Sequence, residues 1–163
     1  MKRVIGIDPG SRITGLGIID VAGGELSVIE YGTIKTGVKD IPNRLKTIFV
    51  ELDALIKQHR PSEFAIERVF VNKNIDSALK LGQARGAAIV SAAVNSVPVF
   101  EYSANEIKKA VVGRGHASKE QIQIMTLKLL GLDKIPDSDA ADALACAICH
   151  INTRQVLSYI KSS

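Results

Sequence analysis

The chain contains few cysteines and no long apolar segment. Only two cysteines, Cys146 and Cys149, occur among its 163 residues, too few and too close together for a disulfide framework. This scarcity is typical of a reducing compartment. No apolar run approaches the roughly 18 residues that a transmembrane helix requires, and charged residues follow Met1 too soon for a secretory leader. We therefore expect a cytoplasmic protein that does not associate with a membrane.

Internal repeats, low-complexity tracts and linker-like stretches are absent as well, so nothing in the sequence indicates a domain boundary. A chain of 163 residues that is 46% hydrophobic can bury a core of its own. The sequence therefore predicts one domain over residues 1–163.

Basic residues are concentrated in the middle of the chain. The formal net charge is +4, and the stretch from Arg68 to Glu120 has eight basic and four acidic residues, while the remainder has 13 of each. A basic segment suits a phosphate-bearing partner, although an ordinary solvated surface fits the charge equally well. Charge alone therefore leaves nucleic-acid binding open.

Hydrophobic periodicity predicts an α/β domain. Strands at 3–8, 15–21 and 26–34 form an antiparallel meander, with Gly23 and Gly24 as the turn between the second and third strands. The following elements are helix 41–59, strand 64–66, helix 76–95, strand 98–102, and helices 104–112, 119–130 and 139–155. This order predicts a five-stranded mixed sheet, three antiparallel strands and then two parallel ones, flanked by helices on both faces.

Two acidic residues end apolar strands of this predicted sheet. Asp8 follows the apolar residues 4–7, and Glu67 follows strand 64–66, where parallel pairing would bring it beside Asp8. Adjacent carboxylates repel each other, and removing an unpaired charge from water is costly, so such a pair needs positive charge between its members. The alternatives are an Asx turn at Asp8 and a surface ion pair between Glu67 and Arg68.

Asp139 and Asp142 are three residues apart and share one face of the last helix. Asp139 has an alternative explanation, a favourable interaction with the helix dipole behind an N-cap at Ser138. Asp142 lies on the side of the helix that Ala145 and Cys146 continue, which we expect to face the sheet. An acidic residue on that side is harder to explain by local structure alone.

Four carboxylates that converge on one sheet edge would form an all-oxygen site, which selects Mg²⁺ or Mn²⁺ over zinc. Such a site matches the two-metal arrangement for phosphodiester cleavage, in which ions roughly 4 Å apart activate a water and stabilise the leaving 3′-oxygen. The predicted reaction is therefore a hydrolysis that leaves a 5′-phosphate and a 3′-hydroxyl.

Five segments of the chain form a recognisable series, namely residues 5–10 (IGIDPG), 65–67 (AIE), 76–86 (DSALKLGQARG), 108–113 and 139–144 (DAADAL). In this order they resemble the RuvC family of Holliday-junction endonucleases. The resemblance extends over nearly the whole chain, and the LGQARG and DAADAL stretches are specific to that family. It implies an RNase H-like fold and makes Asp8, Glu67, Asp139 and Asp142 the catalytic, metal-binding carboxylates.

The resemblance also implies the substrate and the partners. Family members resolve four-way DNA junctions in recombination and repair by paired, symmetric, Mg²⁺-dependent nicks. They act as homodimers and cooperate with a branch-migration helicase complex of the RuvA and RuvB type.

DNA-binding candidates surround the predicted carboxylate site. The resemblance implies that Phe70 stacks on a base at the junction crossover, and an aromatic contact of this kind is worth ~1 to 3 kcal/mol. Lys108 and Lys119 match basic positions at the rim of the family's active site. Lys73 and Arg114 are further basic candidates. The alternatives are a Phe70 side chain buried beneath its loop and ordinary solvated basic residues.

The helix that begins near Asp76 carries small residues at spacings of four, Ala78, Gly82 and Gly86. Glycine inside a helix costs about 1 kcal/mol, so close packing should compensate. The stripe packs either on the sheet or on the same helix of a second subunit. The resemblance favours the dimer, because paired nicks in a junction with two-fold symmetry need two related active sites.

Two other patterns carry little weight. Cys146, Cys149 and His150 spell a haem-attachment motif, but they lie inside an apolar helix without a second cysteine pair. We interpret both cysteines as core residues, and His59 and His150 as helix-end or surface residues.

Three other functions remain open on the sequence. The chain could be an RNase H-like nuclease that processes RNA (YqgF-like), or a nucleic-acid-binding domain without catalysis. An actin-like phosphotransferase is disfavoured, since that fold needs a second, duplicated half.

Overall fold

The computed structural model describes residues 1–70 and 74–162, with side chains described through residue 157. Lys73, one of the DNA-binding candidates, lies outside the described residues. All ten predicted elements are present in the predicted order. They are β1 Lys2–Asp8, β2 Ile13–Ala22, β3 Glu25–Lys35, α1 Ile41–His59, β4 Glu63–Glu67, α2 Ile75–Val94, β5 Val99–Tyr102, α3 Ala104–Val112, α4 Lys119–Leu130 and α5 Ser138–Ser162.

The strands form one mixed sheet in the order β3-β2-β1-β4-β5. β1 pairs with β2, and β2 with β3, in antiparallel orientation, whereas β1–β4 and β4–β5 are parallel. The central position of β1 agrees with its apolar character on both faces. The predicted fold class is therefore confirmed.

Side-chain alternation along β1 divides the core into two layers. Ile5 and Ile7 pack with buried residues of α1 and α2 on one face. Val4 faces the opposite side and packs with Leu144 of α5, among residues of α3 and α4. Asp8 has the same parity as Val4 and therefore faces α5.

Three glycines allow α5 to lie unusually close to the sheet. A Cβ atom at Gly6 would clash with the backbone of Ala143, and one at Gly15 would clash with the backbone of Asp139. At Gly17 it would come within 2.6 Å of Leu144 Cδ2. We call these residues, Gly6, Gly15 and Gly17, the glycine strip. Its role was not apparent from the sequence, although Gly15 and Gly17 alternate on one face of β2.

Small residues of α5 complete this close contact. Ala140, Ala143, Leu144 and Ala147, which lie against these glycines, are buried completely or nearly so. Among the described residues, no helix combines the length and the apolar character that crossing a bilayer requires.

Candidate active site

Asp8 and Glu67 end neighbouring strands at the same sheet edge. Ile7 pairs with Ile66 in the parallel β1–β4 ladder, so the next residue of each strand, Asp8 and Glu67, follows side by side. Both side chains are half-buried. The strand-end pair expected from the sequence is therefore present.

The first turns of α5 bring Asp139 and Asp142 to the same edge, and both are half-buried. Gly15 pairs with Asp8 in the β1–β2 ladder, and the backbone of Asp139 packs directly against it. The sequence-based N-cap at Ser138 is wrong. The Ala141 N–H donates to the carbonyl of Asp137 at 2.8 Å, so the helix already includes Ser138.

Burial and mutual repulsion both raise the pKa of carboxylates in this cluster. Burial raises the pKa of Asp8 to about 8, and the negative charges of Asp142, Glu67 and Asp139 add to the effect. The nearby Lys119 ammonium opposes this shift only in part. An isolated aspartate titrates near pH 4, so Asp8 holds its proton far more tightly than usual.

The pKa values of Glu67 and Asp142 are raised as well. Burial is the main cause for Glu67, followed by the charge of Asp142, while Lys108 opposes the shift. Burial also raises the pKa of Asp142 against the opposing charge of Lys119. Three neighbouring acids are thus desolvated, and the nearby lysines compensate their negative charge only in part.

The alternatives for Asp8 and Glu67 are not observed. Within residues 1–70 and 74–157, neither carboxylate accepts a hydrogen bond or forms an ion pair, so neither the Asx turn nor the Glu67–Arg68 pair is present. Only the backbone of Glu67 is engaged, because its carbonyl accepts from Arg85 Nε at 3.1 Å. Arg85 also pairs with Glu101 and so links α2 to β4 and β5.

The donor set fits a hard divalent cation. All four candidates are carboxylates, and their mutual repulsion would be relieved by positive charge between them. Among the described residues, the side chains do not form a preassembled cluster of three or more metal ligands. Asp8, Glu67, Asp139 and Asp142 thus influence one another electrostatically without already adopting a ligand sphere.

Two lysines lie at the cleft beside the carboxylates. Lys108 from α3 and Lys119 from the start of α4 line a cavity of about 210 Å³ together with Glu67 and Asp142. Ser118 caps α4, since its hydroxyl accepts from the Gln121 N–H. The cap fixes the start of the helix, and thereby the position of Lys119, its first residue. The structure therefore brings both predicted rim lysines to the site.

Phe70 is 70% exposed, so the alternative in which it is buried beneath its loop is wrong. It lies three residues beyond Glu67, immediately before the residues that the structure leaves undescribed. Arg114 is exposed in the turn that follows α3. Gly113 begins that turn with a positive φ of 81°, which favours glycine.

The small-residue stripe of α2 does not pack on the sheet. A Cβ atom at Gly82 or Gly86 would meet no described atom within 4 Å. Ala78 is half-buried. The buried side of α2 is formed instead by Ala84, Ala88 and neighbouring residues.

His150 is a buried residue, so the interpretation as a surface residue is wrong. Its ring is fully enclosed and bonds to Tyr102 Oη through Nδ1 and to Glu63 through Nε2, both at 2.7 Å. Sequence reasoning missed it because an isolated histidine carries no pattern. Cys146 and Cys149 are buried and free, as expected for core residues.

Comparisons with known proteins agree with this architecture. The family model described as "Crossover junction endodeoxyribonuclease RuvC" matches residues 4–150. The chain belongs to the RuvC family. Proteins of that name from Shewanella sp. (strain ANA-3) and Aeromonas hydrophila are 56% and 54% identical, and each alignment covers 96% of this chain and 91% of the relative.

Two solved structures have the same fold as this chain. The T. thermophilus RuvC in complex with a Holliday junction substrate superposes with a TM-score of 0.89, at 33% identity over 96% of both chains. The yeast mitochondrial Holliday junction resolvase Ydc2 gives a TM-score of 0.71 at 14% identity, with 97% of this chain and 81% of that chain covered. The second match establishes the shared fold.

Proposed function

We propose that this chain is a divalent-metal-dependent endonuclease that resolves four-way DNA junctions by paired nicks. The observation that carries the proposal is the carboxylate cluster itself, in which Asp8, Glu67 and Asp142 have raised pKa values. Buried like charges of this kind are found where a function requires them. Membership in the RuvC family supports the junction as the substrate.

Asp8, Glu67, Asp139 and Asp142 would hold Mg²⁺, or Mn²⁺ as a substitute, and we infer two ions per site during catalysis. When bound, two such ions activate the attacking water and stabilise the leaving 3′-oxygen. The products would carry a 5′-phosphate and a 3′-hydroxyl.

The protein's own groups position the DNA. Lys108 and Lys119 line the cleft beside Glu67 and Asp142, where their ammonium groups would bind the phosphates flanking the scissile bond. Their charges already lower the cost of ionising the neighbouring acids. The lysines thus act on both the substrate and the carboxylates.

Phe70 would recognise the junction crossover. Its ring is 70% exposed next to the carboxylate edge, an arrangement that leaves an aromatic face open to a base. Stacking on an unpaired base is sequence-tolerant and would favour a distorted junction over a regular duplex. Lys73 and Arg114 remain candidates for contacts with the DNA backbone.

A homodimer would place two such sites on one junction. Helical geometry puts Ile75, Leu79, Gly82, Gly86 and Val90 on one side of α2, opposite its buried residues. Ile75 and Leu79 are 69% and 64% exposed, and the two glycines leave room for a close approach. We propose that this face, with Ala78 at its margin, packs against α2 of a second subunit.

We infer a cytoplasmic protein that acts with a branch-migration complex of the RuvA and RuvB type, as the family resemblance implies. The buried, free state of Cys146 and Cys149 agrees with a reducing compartment.

The test is incubation of the purified protein with a labelled synthetic four-way junction, a linear duplex and an RNA, in Mg²⁺ or in EDTA. Symmetric nicks in the junction alone, dependent on Mg²⁺, are expected. Cleavage of the RNA would favour the RNA-processing alternative, and binding without any cleavage would favour the non-catalytic one.

A further inference from the structure

A second group of cations lies on the other side of the carboxylate edge. A cavity of about 350 Å³ between the β1–β2 loop and the first turns of α1 and α2 is lined by residues from all three segments. We call it the basic cleft. The residues that matter here are Ser11, Arg12, Lys39, Arg44, Ser77 and Lys80.

The basic cleft has an excess of positive charge. Lys80 pairs with Asp76 at 2.6 Å. Asp40, the acid in the lining, accepts the Asn43 N–H at 3.1 Å as the N-cap of α1. Arg12, Lys39 and Arg44 form no ion pair with a carboxylate anywhere in residues 1–70 and 74–157. Like charges held together without a counter-ion are typical of a surface that binds an anion.

The cations are positioned by the fold. Arg44 Nε donates to the carbonyl of Lys39 at 2.7 Å. The buried Thr36 holds the loop, because its N–H donates to the carbonyl of Arg12 at 3.0 Å and its hydroxyl to that of Ser11 at 2.9 Å. Part of the entropy cost of ordering the site is therefore met before a ligand binds.

The basic cleft and the carboxylates share one sheet edge. Arg12 is four residues from Asp8, so the two Cα atoms lie within about 14 Å at full extension of the chain. Since duplex DNA rises ~3.4 Å per base pair along each strand, this separation corresponds to a few base pairs. Lys108 and Lys119 belong to helices on the opposite face of the sheet.

We propose that the basic cleft is a second binding site for backbone phosphates, which holds a duplex arm a few nucleotides from the scissile bond. DNA laid across the sheet edge would contact Lys108 and Lys119 on one side and Arg12, Lys39 and Arg44 on the other. The proposal rests on the junction-cleaving function given above. The basic cleft would add a DNA contact on the face of the sheet that α1 and α2 cover. The other described residues that we expect to bind DNA do not lie on that face.

The test compares junction binding in EDTA, without cleavage, for the parent and for the double variant Arg12→Ala/Arg44→Ala. Fluorescence anisotropy is measured across a series of salt concentrations. We expect at least about a tenfold weaker affinity. The slope of log K against log salt should flatten by about 0.9 for each phosphate that the variant no longer neutralises.

The matched control is Lys57→Ala/Lys128→Ala, which removes the same charge at positions away from this edge. A charge-preserving variant, Arg12→Lys/Arg44→Lys, should restore most of the salt slope and so separates a phosphate contact from a folding defect. If the alanine variant and the control bind alike, the basic cleft does not bind DNA. A parent that fails to bind the junction at all would overturn the function itself and this inference with it.

Discussion

Glu63 and Glu67 lie on the same face of β4, four residues apart, and have opposite surroundings. Glu63 is bonded to Lys2 and His150, both at 2.7 Å, and to Arg154 at 3.2 Å. Although burial opposes its ionisation, the hydrogen bonds from Lys2 and His150 outweigh that effect and lower its pKa. Glu67 has no such partner among the described residues, and its pKa is raised.

The difference separates an acid that stabilises the fold from one that is held ready for an external cation. The chain supplies the counter-charges of Glu63 from β1 and α5, so this residue ties the sheet to the helix. At the other end of β4, the same helix presents Asp142 to Glu67, which adds negative charge. The ion pairs of Glu63 stabilise the fold, whereas the uncompensated charge at Glu67 destabilises it. This contrast is expected when only the end of β4 at Glu67 is functional.

The largest effect is expected from Asp142→Asn. It should lower the rate of junction cleavage by at least about 100-fold, because removing a direct metal ligand costs no less than removing a residue that only supports one. Its matched control, Asp137→Asn, removes an exposed acid from the same segment and should cleave like the parent. Single-turnover cleavage in Mg²⁺ measures both. Equal rates for the two variants would contradict a role for Asp142 in metal binding.

A smaller effect, on stability, is expected from Glu63→Gln. The substitution removes the charge that three basic partners share, and we expect a loss of about 2 kcal/mol in the free energy of unfolding. Urea denaturation measures it. The folded fraction should still cleave the junction at nearly the parental rate. A stable variant that fails to cleave would instead assign Glu63 to the active site and remove the contrast with Glu67.

The smallest effect concerns acid sensitivity. Burial lowers the pKa of His150 below its ordinary 6.5 despite the opposing effect of Glu63. The unfolded chain therefore binds a proton that the folded protein resists, and this contribution weakens the fold as the pH falls below about 6.5. The stability advantage of the parent over His150→Gln should shrink between neutral pH and pH 5, as measured by urea denaturation. An advantage that grows in acid would mean that His150 is protonated in the fold.

The order of the elements and the four carboxylates were predictable because each rests on a local pattern. Apolar periodicity fixes the strands and helices, and an acid at the end of an apolar strand is conspicuous. The parallel alignment of Asp8 with Glu67 then follows from the βαβ order. The position of Asp142 could be predicted because Ala145 and Cys146, which continue its side of α5, are apolar, and both are buried.

The basic cleft and the His150 network could not be predicted, since their members are distant in sequence. Counting charge by segment placed the excess between Arg68 and Glu120, whereas Arg12, Lys39 and Arg44 all lie outside that stretch. Only the sheet order brings the loop after β1 next to the starts of α1 and α2. His150 likewise meets its partners through tertiary packing alone.

Titration with Mn²⁺, monitored by electron paramagnetic resonance, tests most directly whether the two ends of β4 differ as described. The parent and Glu63→Gln should bind Mn²⁺ with the same stoichiometry and similar affinity, and Asp142→Asn should lose most of this binding. If Asp142→Asn binds Mn²⁺ like the parent, or if Glu63→Gln is the variant that loses it, the carboxylate cluster at Asp8 and Glu67 is not the metal site.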